Sequence, residues 1–229
     1  MLKRAIDIIF SVAVIIIFFP FIVLVGIGIR LSSRGPVIYK ARRVGRDGRE
    51  FVMHKFRTMH VEQRPGASRI TGIEDPRIYP LGAILRRMKI DELPQLFDIL
   101  KGSMSVVGPR PEDPEIVEKY YKDWHKETLR VRPGLTSPGS IHYYSHGEKI
   151  LVGEDIEGVY VERLLDTKMA LDLVYVRNIS LLYDMKLIFR TIYVLLNKAM
   201  GRREFPLPPE VERVNELNIR DFGAIYWGG

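Results

Sequence analysis

The chain has 229 residues, which is enough for one domain of ordinary size with appendages. Its formal net charge of +7 favours an anionic partner: nucleic acid, phospholipid headgroups or a phosphorylated substrate. Because it contains no cysteine, a thiol nucleophile, a disulfide framework and a cysteine-ligated zinc site are excluded.

A long apolar segment lies near the N-terminus. Residues 8–29 carry no charge, and a helix of that length can cross the hydrocarbon core of a bilayer, which is about 30 Å thick. The run is too long for a secretory signal, and no small-residue cleavage site follows it. The segment therefore predicts membrane attachment.

The flanking charges do not choose an orientation for this segment. Lys3 and Arg4 precede it and Arg30 and Arg34 follow it, so the positive-inside rule is satisfied at both ends. Pro20 lies in the middle and lacks the N–H that a continuous helix would use. From these residues alone, a kinked single span and a re-entrant hairpin that returns to the same leaflet both remain open.

The next elements are a hairpin and a loop. Two extended runs surround the turn-like sequence GRDG and predict a β-hairpin within residues 37–59. Residues 60–78 contain several glycines and prolines and predict a loop.

Two short helices are predicted on either side of an acid pair. Helical spacing of apolar residues predicts the first over 81–89, with an inward face. That face comprises Leu81, Ile84, Leu85 and Met88. Asp91 and Glu92 follow, and the second helix carries Leu96, Phe97 and Leu100.

The adjacent carboxylates of Asp91 and Glu92 have two interpretations. Acidic residues at a helix start are stabilised by the helix dipole, so the pair could be simple capping. Alternatively, the pair handles phosphate. Mg²⁺ binds one or two carboxylates together with substrate phosphate oxygens, and an aspartate can itself attack phosphorus.

Two proline-stiffened loops, 105–114 and 131–140, flank a predicted helix over 115–130. Arg110 lies between two prolines and Arg132 precedes one, so their guanidinium groups lose little entropy on binding a phosphate. These residues join other cations near the acid pair as candidate phosphate ligands: Lys55, Arg57, Arg86, Arg110 and Arg132.

Helices are predicted to dominate residues 159–200, with Ser180 as an N-cap and Gly201 as a stop. The last of them is amphipathic, which fits either an interfacial helix or a core helix. Its apolar set comprises Leu181, Met185, Ile188, Ile192 and Leu195. Beyond the sequence REFPLPPE we expect a peripheral tail.

These elements predict a mainly helical α+β unit on a membrane, with a small β-hairpin and interfacial amphipathic helices. The domain prediction is a membrane helix over 1–35, a catalytic domain over 36–204 and a C-terminal tail over 205–229.

Several motifs resemble those of one family. KFRTM (55–59), DPRIYPLGAILRRMKIDELPQLFDILKGSMSVVGPRPE (75–112), RPGLTSPG (132–139) and the N-terminal KRAID resemble the bacterial sugar transferases, the monotopic phosphoglycosyl transferases. The resemblance covers roughly residues 1 to 200. It implies a re-entrant membrane helix.

The resemblance also implies an activity: transfer of a sugar 1-phosphate from a UDP-sugar to polyprenyl (undecaprenyl) phosphate, with release of UMP. The implied location is the cytoplasmic face of a bacterial inner membrane, in contact with phospholipid. Asp91 would be the nucleophile on phosphorus, and Glu92 would assist the lipid half-reaction or bind metal. Mg²⁺, held by Asp91 and Glu92, is the implied cofactor.

Among the cations, Arg86 and Arg110 match basic positions of the family motifs. Lys55, Arg57 and Arg132 would be phosphate or uridine contacts. The chain departs from the family in having Phe19, where a small hydroxyl residue often precedes the hairpin proline. The sequence SPGSIHYY also differs from a tryptophan-containing version and hints at an acetamido or modified sugar.

Two other functions compete with this one. One is direct glycosyl transfer that releases UDP. The other is a non-catalytic adaptor that binds anionic lipid; no nucleic-acid-binding motif is present, so nucleic acid is not an expected partner. The sugar, the polyprenol length, the pathway and homo-oligomerisation are left open.

Overall fold

The chain is mainly helical, with two small two-stranded sheets, in a computed structural model that describes residues 2–61, 70, 75–153 and 155–217. The helices are α1 (Leu2–Ser32), α2 (Pro80–Arg87), α3 (Gln95–Lys101), α4 (Pro114–Tyr120), α5 (Asp123–Lys126), α6 (Pro138–Ser145), α7 (Ile156–Val159), α8 (Asp166–Arg177), α9 (Leu181–Ala199) and α10 (Glu210–Val214). The strands are β1 (Ile38–Val44), β2 (Glu50–Phe56), β3 (Ser105–Val107) and β4 (Gly134–Thr136). The predicted mainly helical α+β class is confirmed.

The N-terminal helix α1 runs without interruption through Pro20. Among the described residues it is the one helix long and apolar enough to cross a membrane, and only 11% of its most apolar stretch is buried. A core helix of a soluble domain would be mostly buried, so the chain carries a long apolar helix that the rest of the protein leaves largely uncovered.

The first turns of α1 are fastened to the domain by polar contacts. Lys3 Nζ donates to Asp184 Oδ2 at 2.7 Å, and the Arg4 guanidinium donates to the Ile99 carbonyl at 2.6 Å. The buried carboxylate of Asp7 accepts the Val106 backbone N–H and the Ser105 hydroxyl. The N-terminal end of α1 therefore lies against α3, β3 and α9.

The C-terminal end of α1 packs against the same domain through apolar contacts. Val25 and Ile29 form a buried cluster with Phe56 of β2 and Leu85 of α2. Between the two ends, every residue from position 16 to 21 is exposed, which covers all faces of the helix. The middle of α1 is therefore the part that the domain covers least.

The predicted β-hairpin is confirmed. Strands β1 and β2 pair antiparallel in the register that places Tyr39 opposite Lys55. The turn between them holds Asp47 in the left-handed region, at φ 58°. Of the predicted loop over 60–78, residues 62–69 and 71–74 lie outside the described residues.

Helix α2 buries less of its surface than its sequence predicts. Leu85 is buried against α1, but Ile84 is 56% exposed and Met88 is 49% exposed. The prediction that both point inward is wrong, because this short helix packs on one side only. Gly82 is the point of closest approach: a Cβ there would lie 2.1 Å from the Thr58 carbonyl oxygen.

The two proline-stiffened loops pair with each other as a parallel two-stranded ladder, which the sequence did not predict. Ser105 lies opposite Gly134, and Val107 lies opposite Thr136. The backbones touch just beyond this ladder, where a Cβ on Gly134 would lie 2.1 Å from the Gly108 nitrogen. This pairing fixes the loop that carries Arg110.

The helix predicted over 115–130 is divided. It consists of α4, α5 and a 3₁₀ turn over Glu127–Arg130, and Tyr121 leaves the helical region with ψ at 119°. The helices predicted for residues 159–200 are confirmed, as is the N-cap, since the Ser180 hydroxyl accepts the Tyr183 N–H. Gly201 follows α9 with φ at 92°, as its predicted role as a stop requires.

Helix α8 is the centre of the domain, and residues 166–175 of it are all buried. Helix α9 packs beside it with one face buried, including Leu187 and Ile188, and the other face apolar but exposed. The exposed set comprises Leu182, Met185, Phe189, Ile192, Tyr193 and Leu196. The predicted apolar set lies on one side of α9, as its spacing requires, but at the edge of the buried face: Ile188 is buried, whereas Met185 and Ile192 are exposed.

The segment predicted as a peripheral tail contributes to the packed domain as far as it is described. In α10, Glu210 is buried and pairs with Arg190 at 2.7 Å. Val214 of the same helix joins a buried cluster with Leu171 and Leu173 of α8. The prediction of a peripheral tail is wrong for residues 205–217, and residues 218–229 lie outside the described part of the chain.

Candidate active site

A cavity of about 1880 Å³ lies between α1, the β-hairpin, the α2–α3 turn, α6 and α9. One side of it is charged, and we call this side the polar wall. The polar wall includes Lys55, Arg86, Asp91, Glu92, Arg110 and Glu112.

A second group of lining side chains comes from the two helices that expose apolar surface, α1 and α9. We call it the apolar wall. It includes Phe10, Phe18, Phe21, Ile188, Ile192 and Leu195. One cavity therefore offers charged groups for an anion and an apolar surface continuous with the uncovered helix.

The acid pair lies on a 3₁₀ turn, Ile90–Glu92, between α2 and α3. Lys89 precedes it in the left-handed conformation, at φ 56° and ψ 21°. A non-glycine residue in that region is strained, and such strain persists where the surrounding structure holds it. The turn directs both carboxylates inward, and Asp91 and Glu92 are each 6% exposed.

Glu92 is fully committed to cations. Arg110 Nη2 donates to Glu92 Oε1 at 2.5 Å and Nη1 donates to Oε2 at 3.1 Å, which is the two-pronged geometry of an arginine–carboxylate pair. Lys55 Nζ lies 3.7 Å from Oε1. Glu92 thus holds two cations of the polar wall in place.

Asp91, its neighbour in sequence, accepts no hydrogen bond within the described part of the chain. Its Oδ1 is buried and unsatisfied. A buried carboxylate oxygen without a partner costs stability, so it is retained where something else requires it. Asp91 is the reactive candidate of the pair.

Burial and neighbouring charge separate the two acids. Burial and the nearby Glu92 carboxylate raise the pKa of Asp91, against the opposing effect of Lys55, Lys89 and Arg86. Burial also works to raise the pKa of Glu92, but Arg110 and Lys55 outweigh it and hold that pKa well below its ordinary value. A proton added to the pair therefore resides on Asp91.

The cations around the acid pair differ in their surroundings and partners. Burial, reinforced by the charge of Arg110, lowers the pKa of Lys55 to about 8. Arg86 lines the cavity and makes no ion pair with any residue that the structure describes. Lys89 pairs with Glu148 at 3.3 Å and lies over the Tyr144 ring at 4.4 Å.

The site is suited to a divalent cation at one of its two acids. Asp91 offers carboxylate oxygens that accept no hydrogen bond from described residues, whereas both Glu92 oxygens are bound by Arg110. No group of three acidic or histidine side chains that could hold a metal by itself occurs in the described ranges. Mg²⁺ binds through one or two carboxylates plus phosphate oxygens, so Asp91 with a bound diphosphate fits this requirement.

Comparison with known proteins supplies the family. Residues 1–198 match the model of the bacterial sugar transferase family, which covers the apolar helix, the acid pair and both proline loops. The chain belongs to the bacterial sugar transferase family. The resemblance seen in the motifs is confirmed.

Individual relatives agree with this assignment. The chain is 39% identical over 201 residues to an undecaprenyl-phosphate glucose phosphotransferase of Komagataeibacter xylinus, and 33% identical over 202 residues to a UDP-glucose:undecaprenyl-phosphate glucose-1-phosphate transferase of Escherichia coli (strain K12). These matches cover 83% and 87% of the chain but 35% and 41% of the relatives, so the chain spans less than half the length of either. An exopolysaccharide production protein PSS of Rhizobium leguminosarum bv. phaseoli matches at 34% identity over 87% of the chain and 98% of its own length.

Arg57 makes structural contacts that its sequence did not predict. Its guanidinium donates to the Pro36 and Arg34 carbonyls, at 2.6 and 2.7 Å, and to both the hydroxyl and the carbonyl of Ser33. The side chain fastens the end of α1 to β2. These contacts use four of its five N–H donors, and Arg57 also lines the cavity, so its predicted phosphate contact stays a prediction.

Arg132 also lies away from the acid pair. Its Nε donates to the Gly102 carbonyl at 2.8 Å, at the end of α3 opposite the acids, and Arg132 does not line the cavity. The structure brings together Lys55, Arg86 and Arg110 with Asp91 and Glu92. Arg57 lines the same cavity but is hydrogen-bonded to the end of α1, and Arg132 lies outside the cavity.

Sequence reasoning missed a third carboxylate, Glu112, which lines the same cavity. Glu112 accepts hydrogen bonds from Lys168 and from Tyr160, the latter at 2.5 Å. Its position two residues after Arg110, within a matched motif, was a signal that could have found it. Nothing in the sequence marks Lys168, because its partner is 56 residues away.

Proposed function

We propose that the protein transfers a sugar 1-phosphate from a UDP-sugar to polyprenyl phosphate, and releases UMP. The family assignment and the names of the curated relatives support this reaction type. The observation that carries it is the unpartnered, buried Asp91 in a cavity that also has the cations of the polar wall and the side chains of the apolar wall. A soluble anionic donor and a lipid phosphate could use such a cavity in turn.

In the first step a carboxylate oxygen of Asp91 attacks the sugar-bearing phosphorus of the donor. The new bond joins that oxygen to phosphorus, and the bond from phosphorus to the bridging oxygen breaks. UMP leaves with the bonding electrons. The enzyme then carries the sugar phosphate on Asp91.

In the second step a phosphate oxygen of the polyprenyl phosphate attacks the same phosphorus. The bond to Asp91 breaks, and the products are a polyprenyl diphosphate sugar and free carboxylate. No proton, oxidant or further reactant is required, because each step exchanges one oxygen on phosphorus for another.

Glu92 acts in this scheme through the cations that it holds. A carboxylate whose pKa is held far below its ordinary value is a poor proton acceptor, so Glu92 is not suited to general base catalysis. It instead orients Arg110 and Lys55 toward the transferred phosphate. Preorganised cations at the position where charge develops are a large source of rate enhancement.

Mg²⁺, when bound, would neutralise charge on the phosphate oxygens of the donor. Asp91 would hold it together with those oxygens. Glu92 would be a ligand only if Arg110 released it. The residues of the polar wall bind and orient the donor around this centre.

The contacts of α1 support a re-entrant arrangement at the cytoplasmic face of the inner membrane. A helix of 31 residues is about 46 Å long, enough to cross a bilayer. Both of its ends nevertheless contact the same domain, as an arrangement with both ends on one side of the membrane requires. The exposed apolar face of α9 would rest in the interface and bring the acceptor phosphate to the cavity.

Membranes containing the protein, incubated with a panel of UDP-sugars, Mg²⁺ and undecaprenyl phosphate, test the proposal. We expect UMP as the nucleotide product and no UMP from the Asp91→Asn variant. Release of UDP would instead identify direct glycosyl transfer. Unchanged UMP release by Asp91→Asn would exclude Asp91 as the nucleophile.

A further inference from the structure

Glu112 is held at one oxygen only. Lys168 and Tyr160 both donate to its Oε1, and Lys168 also contacts the Tyr160 hydroxyl at 3.0 Å. The second oxygen, Oε2, accepts no hydrogen bond from described residues, and the side chain keeps 13% of its surface exposed in the cavity wall. One oxygen is therefore anchored and the other is available to a ligand.

The anchor depends on a π-helical segment, Tyr160–Leu165, that joins α7 to α8. In a regular α-helix two residues eight positions apart point about 80° away from each other. A π-helical turn accommodates one extra residue, which reduces that difference to about 20°. The segment thus brings Tyr160 and Lys168 to the same side, where both reach Glu112.

The charge on Glu112 restricts what it can bind. Burial works to raise its pKa, but Lys168 and the hydrogen bonds of Lys168 and Tyr160 outweigh it, so the carboxylate remains ionised. An ionised carboxylate repels phosphate and accepts hydrogen bonds from neutral hydroxyls. Lys168 already balances its charge, and a hydroxyl therefore suits the remaining oxygen better than a second cation.

We propose that Glu112 Oε2 accepts a hydrogen bond from a hydroxyl of the nucleotide-sugar donor and thereby contributes to donor selection. This inference rests on the proposed function. Glu112 follows Arg110 by two residues, so a donor whose phosphates contact Arg110 would place its polyol near Glu112. The hydroxyl belongs either to the transferred sugar or to the ribose.

Calorimetric binding to the full chain tests this contact without turnover. The Asp91→Asn variant would be titrated with the UDP-sugar that binds most tightly in a panel, with analogues lacking single sugar hydroxyls, and with the 2′-deoxy- and 3′-deoxyribose analogues. The same series would be measured with Glu112→Gln added. In that variant Lys168 and Tyr160 hold the amide oxygen, so an NH₂ donor faces the cavity in place of the acceptor.

We expect one hydroxyl deletion to weaken binding about 10- to 100-fold when Glu112 is present, the range for a hydrogen bond to a charged group. The same deletion should have little further effect in the Glu112→Gln background. A sugar analogue that responds identifies the transferred sugar as the contact, and a ribose analogue identifies the nucleoside. Tyr160→Phe removes one of the two hydrogen bonds to Glu112 Oε1, so the loss of affinity on removal of that hydroxyl should become smaller but should not disappear.

The proposal would be overturned if removal of each donor hydroxyl reduced the affinity equally with and without Glu112, or if no UDP-sugar bound. Glu127→Gln is the matched control, because Glu127 pairs with Arg177 outside the cavity and should leave every penalty unchanged. Donor binding that depends on Glu112 together with release of UDP by the parent protein would keep this inference and reject the proposed phosphate transfer.

Discussion

At the scale of single residues, the site separates two neighbouring acids by environment. Asp91 and Glu92 are equally buried, yet only Glu92 has cationic partners within hydrogen-bonding distance. Burial and the Glu92 charge therefore raise the pKa of Asp91 against the opposing effect of Lys55, Lys89 and Arg86, while Arg110 and Lys55 hold the pKa of Glu92 low. Asp91 is the candidate for the reactive group, and Glu92 is a fixed anion. Charge pairing, rather than residue type, assigns the two roles.

Replacement of Lys55 by arginine should change the pH dependence of the reaction. The pKa of Lys55 is about 8, so its charge and its phosphate contact are lost as the pH rises through that value. We expect kcat/KM to fall above about pH 8 in the parent protein, and Lys55→Arg to move this fall upward because arginine stays protonated. A pH profile of kcat/KM for both proteins measures the position of this fall. The control Lys126→Arg, at an exposed position of α5, should keep the original pH profile. If kcat/KM of Lys55→Arg falls at the same pH as that of the parent protein, the assignment of this fall to Lys55 is refuted.

Removal of Arg110 should cost both stability and activity. Arg110→Met leaves Glu92 buried without its main partner, and we expect a loss of about 2 kcal/mol. That loss is below the range for fully buried pairs, because the Arg110 side chain is 22% exposed. Denaturation in detergent measures it.

The double variant Arg110→Met, Glu92→Gln provides the matching control. It should regain much of the stability, since no uncompensated charge remains, but none of the activity. Equal stability of the single and double variants would show that the pair is not coupled.

At the scale of elements, the sequence predicted what local pattern determines. The apolar run, the hairpin at GRDG, the Ser180 cap and the Gly201 stop all appear where expected. The β3–β4 ladder was not predicted, because three-residue strands leave no periodic pattern and their partners are distant in the chain. The π-helical segment was not predicted either, since the contacts that accompany it join Tyr160 and Lys168 to Glu112, which is distant in the chain.

The same distinction applies to the candidate site. Asp91, Glu92 and Arg110 could be predicted because they lie within motifs whose geometry is local. Arg57 was assigned to phosphate by its neighbours in sequence, whereas its actual partners are carbonyls at the end of α1. Sequence gives the charge of a side chain, but only tertiary packing gives its partner.

The β3–β4 contact predicts that Gly134→Ala is destabilising. The added methyl group would lie 2.1 Å from the Gly108 nitrogen, so the backbone must move. We expect a loss of about 1–3 kcal/mol, typical of overpacking, and a lower kcat because the loop carrying Arg110 shifts. Thermal unfolding measures the loss of stability, and steady-state kinetics measure the change in kcat.

Gly26→Ala serves as the control, because its Cβ would meet Val37 at an ordinary 3.6 Å. Equal losses of stability and of kcat in the two variants would contradict this explanation.

At the scale of the whole molecule, the apolar helix and the charged cavity form one unit. Both ends of α1 are fastened to the domain, and its side chains line the cavity that holds the acids. Residues of the long apolar helix therefore also belong to the candidate site.

Single-cysteine labelling tests the topology directly, because the chain has no cysteine of its own. Leu2→Cys and Arg34→Cys place thiols at two exposed positions at opposite ends of α1. A re-entrant helix predicts that a membrane-impermeant maleimide labels both in inverted vesicles and neither in spheroplasts. Labelling of one position from each side would establish a spanning helix instead.

The covalent step on Asp91 can be tested by intact-protein mass spectrometry of the full chain after rapid quenching with UDP-sugar and Mg²⁺ but no lipid acceptor. We expect a mass increase of one sugar phosphate, located on Asp91, together with about one UMP released per active enzyme. Asp91→Asn should show neither. A protein that turns over with acceptor present, yet gains no mass and releases no UMP with donor alone, would contradict it.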